Sequence, residues 1–143
     1  MPKSTACIQG LLLLLFNATT FADLAENDTT SPAANLYASL HTATPAVAGT
    51  QTTNEIGYTS YDRVAVARTS GGWALTTDHV NPVAAITFPA GTGGAGTATY
   101  FAVGVNDFPT AGVVLYFGTV TPNIICGDGI TPSLSTASSI TEA

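Results

Sequence analysis

The segment Asn35–Trp73 constrains the fold of this chain most, because two strand-like stretches flank a long polar loop within it. Residues Asn35–His41 alternate between two faces, which is the period of a half-buried β-strand. Thr42–Ser60 holds only two large aliphatic residues and predicts a surface loop. Alternation resumes over Tyr61–Arg68, and Trp73 opens the next strand. The faces of the first strand are Leu36, Ala38 and Leu40 against Tyr37, Ser39 and His41.

Short strand-like stretches separated by turns continue to the C-terminus. Strands are predicted near 35–41, 61–68, 73–77, 83–88, 97–105, 113–120, 123–126 and 136–141. The apolar stretch 113–120 is expected to be central or covered. Many short strands without helices between them indicate a sandwich, and about eight suit a two-sheet jelly roll. The predicted fold is mainly β, a jelly-roll-like β-sandwich of about eight antiparallel strands with an N-terminal helix. Residues 1–34 are predicted to form a helix and linker arm, and 35–143 the sandwich domain.

The N-terminal segment carries the leucine-rich run Leu11–Phe16. A lysine before an apolar run, here Lys3, is also typical of a signal peptide, which stays open as the alternative. The run has only six apolar residues, which are too few to span a bilayer. We favour a structural helix from about Ser4 to Phe16, with Ser4 as its N-cap and Asn17 near its end. At helical spacing, one face that would pack on a sheet or a neighbour holds Cys7, Leu11, Leu14 and Leu15.

The charge of the chain is low and acidic. Charged residues make up 8% of the 143 residues, against about 25% in typical soluble domains, and the formal net charge is −6. Lys3, Arg63 and Arg68 are its only basic residues, too few to neutralise a run of phosphates, so nucleic-acid binding is not expected. A chain with so few charges and 45% hydrophobic residues fits a component of a protein assembly.

Two patterns suggest chemistry, and each has a simpler structural explanation. Gly91–Gly96 satisfies GxGxxG, but a strand-like stretch follows where a dinucleotide site needs a helix, so a turn is predicted. His41 and His79 lack metal-site spacing and a catalytic partner, so His41 is expected to be packed and His79 to form a turn pair with Asp78. We therefore predict no enzyme, no cofactor and no metal site.

Acidic residues and cysteines lead to the same conclusion. Asp23, Glu26 and Asp28 lack the Gly and terminal Glu of a Ca²⁺ loop and are interpreted as a solvated linker. Cys7 and Cys126 lie far apart without a CxxC motif and are expected to be unpaired thiols, with one disulfide as the alternative.

Longer motifs resemble a family of small virion proteins of tailed bacteriophages, often labelled tail-fibre proteins. They are LYxSLHTAxP at Leu36–Pro45, AGTQxTNE at Ala48–Glu55, and YxRVAVAR with a following Gly-Trp at Tyr61–Trp73. At least some members look like capsid cement proteins built on a jelly roll. The resemblance covers nearly the whole chain.

The resemblance implies a structural virion protein without catalysis. The first hypothesis is a decoration protein that cements a phage capsid by bridging neighbouring major capsid protein subunits, made in the bacterial cytoplasm and located on the capsid surface. Its expected partners are the major capsid protein and further copies of the chain, as dimer or trimer, with neither nucleic acid nor membrane. The alternative is a tail-fibre or baseplate component involved in receptor binding. The third possibility, a glycan hydrolase, would need two carboxylates positioned on either side of the glycosidic bond. The sequence offers Asp62, Asp78 and Asp107 but gives no reason to pair any two of them.

Eight residues are candidates for the interface. Arg63 and Arg68 are expected on opposite sides of one strand, where they pair with a partner's carboxylate or within the chain, and Glu55 is the internal candidate for Arg63. Phe108 lies on the predicted loop Asn106–Gly112. An exposed aromatic or apolar side chain would anchor a contact. The candidate set is Leu11, Leu14, Leu15, Glu55, Tyr58, Arg63, Arg68 and Phe108.

Overall fold

The computed structural model describes residues 4–20 and 33–142. The strand pairs with an assigned register are antiparallel. Together with one N-terminal helix, this confirms the predicted mainly β fold and is consistent with a β-sandwich. Within the described ranges the elements are α1 (Thr5–Asn17), β1 (Asn35–His41), β2 (Val64–Ala67), β3 (Trp73–Leu75), β4 (His79–Pro82), β5 (Ile86–Thr87), β6 (Ala95–Gly104), β7 (Val114–Gly127), β8 (Ser133–Leu134) and β9 (Ile140–Thr141).

Two compact units make up the described chain. The first takes the described residues up to Asn35, then Val66–Ala85 and the segment from Ser135 onward. The second takes Leu36–Ala65 and Ile86–Leu134. The division between residues 34 and 35 made from the sequence stays a prediction.

Helix α1 belongs to the first unit and confirms the predicted N-terminal helix. The Ser4 hydroxyl accepts a hydrogen bond from the Cys7 N–H at 3.3 Å, which caps the start, and Ala18 ends the helix in a left-handed conformation. Among the described helices, none is long and apolar enough to cross a membrane.

The buried face of α1 differs from the predicted one. Leu12 and Phe16, four residues apart, are fully buried, whereas the predicted face of Cys7, Leu11, Leu14 and Leu15 is only half-buried. The Phe16 ring packs edge-on against Trp73 with centroids 4.8 Å apart, and this aromatic contact sets the rotation of the helix. The helix contains five consecutive leucines, so the sequence has no alternation of polar and apolar residues there from which the buried face could be identified.

The sheet of the first unit has the order β3-β4-β9. Trp73 opens β3 as predicted and pairs with Pro82, while Val80 of β4 pairs with Ile140 of β9. Trp73, Val80 and Ile140 are buried, so the inner face of this sheet and α1 form the core of the unit. Strand β4 was not predicted from the sequence. The strand that was predicted near 83–88 is shorter in the structure, where only the two residues of β5, in the second unit, form a strand.

The main sheet has the order β2-β1-β6-β7, and β1 lies inside it. Leu36, Ala38 and Leu40 are buried as predicted, but Ser39 and His41 on the opposite face are also fully buried. The expectation of a half-buried strand is therefore wrong for the second half of β1. These polar side chains tolerate burial because they hydrogen-bond internally, with Ser39 Oγ 2.9 Å from His41 Nε2.

Strand β7 runs unbroken where the sequence predicts two strands. Pro122 lies between the two predicted strands. Among the described residues β7 is the last strand of its sheet, where a missing N–H removes no required ladder bond. A register shift absorbs the extra residues, because Ala98 faces Ile124 while Tyr100 faces Thr119. The expectation that 113–120 is central or covered is also wrong, because β7 is the last strand of this sheet among the described residues and Val113 is 62% exposed.

Strand β2 is shorter than the predicted strand at 61–68. Tyr61 and Arg63 are buried, and Val64 and Val66 are half-buried, so the alternation changes phase at the start of the strand. Arg63 precedes β2 and Arg68 follows it. The prediction that both lie on one strand is therefore wrong, and each forms contacts within its own unit.

Candidate functional site

Arg63 and Glu55 form a buried ion pair in the second unit. The Arg63 side chain has no exposed surface, and its Nε donates to Glu55 Oε1 at 2.7 Å. Its Nη2 donates to Glu55 Oε2 at 2.8 Å, so the guanidinium binds the carboxylate with two parallel hydrogen bonds. This confirms the pairing expected from the sequence.

The same guanidinium holds the loop Asn106–Gly112, called the 106–112 loop below. Nη1 of Arg63 donates to the carbonyl oxygens of Asn106 and Asp107, both at 3.0 Å, and of Thr110 at 2.8 Å. A single buried cation thereby satisfies three loop carbonyls and fixes the loop on the Glu55 carboxylate. Arg63 is a positioning residue for this loop.

Tyr61 completes the buried cluster. Its hydroxyl donates to Glu55 Oε1 at 2.8 Å and accepts from the Leu40 N–H at 3.1 Å. Burial, followed by the nearby Glu55 carboxylate, raises the pKa of Tyr61 well above its ordinary value, so the hydroxyl stays protonated. Glu55 therefore accepts from both Arg63 and Tyr61, which compensates for its removal from water.

Phe108 is the exposed part of this arrangement. The edge-on contact with Tyr61 places the two ring centroids 5.5 Å apart, and Arg63 Cζ lies 5.8 Å from the Phe108 centroid. The ring nevertheless remains 41% exposed, and its loop neighbours from Asp107 to Ala111 are exposed as well. The cluster thus holds the aromatic side chain of the predicted contact loop partly in solvent.

Gln51 fixes both ends of the 106–112 loop. Its backbone N–H donates to the Gly112 carbonyl at 2.9 Å, and its Oε1 accepts from the Asn106 N–H at 2.9 Å. A Cβ on Gly112 would lie 2.4 Å from Gln51 Oε1, so this close approach requires glycine. Gln51 was not among the predicted site residues, although it is the Q of the AGTQxTNE motif.

An uncharged depression lies beside this contact. Thr50 and Val113 form an isolated β-bridge, which joins the loop before β2 to the start of β7. The open depression has a volume of about 250 Å³, and Val47 at its rim is 96% exposed. We call this surface the apolar patch, and its lining is Val47, Ala48, Gly49, Thr50, Ala111, Gly112, Val113 and Val114.

His41 lies buried in the same unit and confirms the expectation of a packed histidine. Its Nδ1 is 2.9 Å from the Thr53 carbonyl oxygen, and its Nε2 is 2.9 Å from Ser39 Oγ. Burial lowers the pKa of His41, with an opposing contribution from the Thr53 carbonyl and the Glu55 carboxylate and a further lowering by Arg63. The ring is therefore neutral near pH 7, with Nδ1–H as donor to Thr53.

Protonation of His41 is expected to destabilise the fold. The pKa of His41 is lower in the folded chain than the roughly 6.5 of an unfolded chain. Below about pH 6.5 the unfolded state therefore binds more protons than the folded state, so the free energy of unfolding decreases as the pH falls. Above about pH 6.5 the contribution of His41 to stability is fully present.

Urea denaturation between about pH 7 and pH 5 measures this slope. His41→Gln removes the contribution and should flatten the dependence, whereas the matched control His79→Gln leaves the His41 site intact and should retain it. An equal slope in the wild type and His41→Gln would rule out this role of His41.

Arg68 and Tyr58 form hydrogen bonds within the chain. Arg68 Nε donates to the Leu15 carbonyl at 2.6 Å and Nη2 donates to the Leu14 carbonyl, which satisfies free acceptors at the end of α1 in the first unit. Burial lowers the pKa of Arg68. Tyr58 is buried, its hydroxyl donates to the Pro89 carbonyl at 2.7 Å, and burial raises its pKa to about 12. As partner contacts, all eight candidates stay a prediction.

The chemical motifs also take structural roles. Residues 91–94 form a turn that leads into β6, where Gly96 lies, and Asp78 Oδ1 contacts His79 Nδ1 at 2.8 Å, as predicted. Cys7 and Cys126 are free thiols, and burial raises the pKa of Cys126. Within residues 4–20 and 33–142, no three His, Cys, Asp or Glu side chains form a group able to hold a metal ion. The acidic stretch Asp23, Glu26 and Asp28 lies outside the described residues.

Comparison with known proteins identifies a family for this chain. The family model described as podophage GP4 fiber I protein gp80 matches residues 14–139. The matched range includes only the last four residues of α1, from Leu14 to Asn17, and all strands from β1 to β8. A search of curated proteins finds no match.

Proposed function

Because the chain belongs to the podophage GP4 fiber I protein gp80 family, we propose that it is a structural component of a phage tail fibre. Membership makes the chain a phage virion protein of a structural family. The observation that carries the proposal is the match over 14–139, which includes the 106–112 loop, the apolar patch and the Arg63 cluster.

The proposed mechanism is attachment without chemistry. The buried pair of Arg63 and Glu55 fixes the 106–112 loop, so Phe108 and the apolar patch are ordered before a neighbour binds. Ordering a contact surface in advance reduces the entropy lost on association. The few exposed charges favour a role in which much of the surface lies against other virion proteins.

Capsid decoration is the second candidate, carried by the residue motifs at Leu36–Pro45 and Tyr61–Trp73. The family description supports the fibre alternative more directly than bridging of major capsid protein subunits. In either role the chain would act at neighbouring protein surfaces, and receptor binding would be a property of the assembled fibre.

A phage with a stop codon in this gene separates the two roles. Grown without a suppressor, it should yield DNA-filled heads that lack fibre density and adsorb poorly to host cells. The same phage grown with a suppressor is the control. Virions with intact fibres but heads that rupture on osmotic shock would contradict the fibre role and support decoration.

A further inference from the structure

We infer that the apolar patch is a contact site for a second copy of this chain. The patch combines a protruding apolar side chain, Val47 at 96% exposure, with an adjoining depression of about 250 Å³. An interface between identical copies about a two-fold axis needs both complementary parts on one surface. Val47 of one copy therefore inserts into the depression of the other, and the reverse contact forms at the same time.

The charge distribution favours a second copy over a basic partner. In the second unit, the exposed charged residues are the carboxylates Asp62, Asp107 and Asp128, and Arg63 is buried. Two identical surfaces of one sign repel wherever these groups meet. The patch lining contains no charged residue, so two copies approach there with the least repulsion, and a basic partner would find no carboxylate in the lining.

The patch is held rigid by contacts already described. Gln51 bonds to both ends of the 106–112 loop, and Thr50 bridges to Val113. The Val105 N–H also donates to the Val113 carbonyl at 3.2 Å. These bonds fix both walls of the depression, so a second copy binds without first ordering a loop.

The size of the patch sets the expected strength. Eight lining residues a side fall well below the 20–30 of a standard stable interface, so association of the free protein is weak. Copies held together in a virion would associate more strongly, because tethering raises their effective concentration. The contact is independent of whether the virion location is fibre or head.

Sedimentation analysis of the purified full chain tests this contact. Over about 10 µM to 1 mM protein, we expect reversible dimers, a range suited to weak interfaces. Raising the salt from about 0.1 M to about 1 M shortens the Debye length from about 10 Å to about 3 Å and should strengthen the dimer by screening acidic repulsion.

Val47→Asp should lower the association constant by about tenfold or more, since it buries a carboxylate in the contact. The matched control is Val83→Asp, which changes a 49% exposed valine outside the patch and should leave association unchanged. Mixing Val47→Asp with Val47→Lys should restore dimers between the two variants. A chain that stays monomeric throughout, or a Val47→Asp variant that dimerises like the wild type, would overturn the inference.

Discussion

Replacing Arg63 with methionine should lower the free energy of unfolding by about 3–5 kcal/mol, because Glu55 is left as a buried carboxylate without its cation. Three loop carbonyls, at Asn106, Asp107 and Thr110, also lose their donor. Methionine fills similar apolar space, so the effect reports the lost bonds rather than a cavity. Urea denaturation followed by far-ultraviolet circular dichroism measures the change.

Two further variants separate the ion pair from the loop contacts. Arg63→Lys keeps the charge but lacks the planar fork, so it should be intermediate in stability. Adding Glu55→Gln to Arg63→Met removes the unpaired charge and should recover part of the loss. A loss below about 1 kcal/mol for Arg63→Met would show that the pair is solvated rather than buried.

Replacing Phe16 with alanine should cost about 3–5 kcal/mol, the range for removing a buried aromatic side chain. Phe16 is fully buried against Trp73, so its loss leaves a cavity beneath α1. Trp73 is the only tryptophan of the chain, and its fluorescence therefore reports unfolding around this contact directly.

The control is Leu14→Ala on the half-buried face of the same helix. It should cost clearly less than Phe16→Ala, since less apolar surface leaves water at that position. Equal losses for the two variants would mean that α1 packs through the leucine face predicted by spacing, and would contradict the observed orientation.

Local patterns predicted the fold well where one short stretch decides the structure. Asn35–His41 forms the predicted strand with its predicted bounds, Trp73 opens the next one, and Ser4 caps the helix. These features depend on side-chain alternation and on capping, which act over a few residues. The Arg63–Glu55 pair was also predictable, because both charges lie in one segment that contains few others.

Features that depend on distant parts of the chain could not be predicted. Arg63 finds its loop carbonyls more than 40 residues away, and Gln51 finds Asn106 55 residues away. Backbone acceptors leave no pattern in the sequence, so neither contact had a signal of its own. The rotation of α1 and the edge position of β7 likewise depend on which surfaces meet in three dimensions.

Virion membership was implied by the motifs of Leu36–Pro45 and Tyr61–Trp73 and is supported by the family match. Whether the chain lies on the head or in the fibre does not follow from its fold, because one fold can serve either role. Surface residues such as Phe108 and Val47 decide the partner, and the sequence pattern does not name it.

The location of the chain on the virion distinguishes a fibre component from a capsid decoration protein. Gold-labelled antibodies against the folded chain, applied to intact virions, locate it by electron microscopy. Virions from the stop-codon phage grown without a suppressor provide the control for specific labelling. A fibre component should carry gold at the tail fibres and leave the heads bare, whereas uniform gold over the heads would rule out the proposed fibre location.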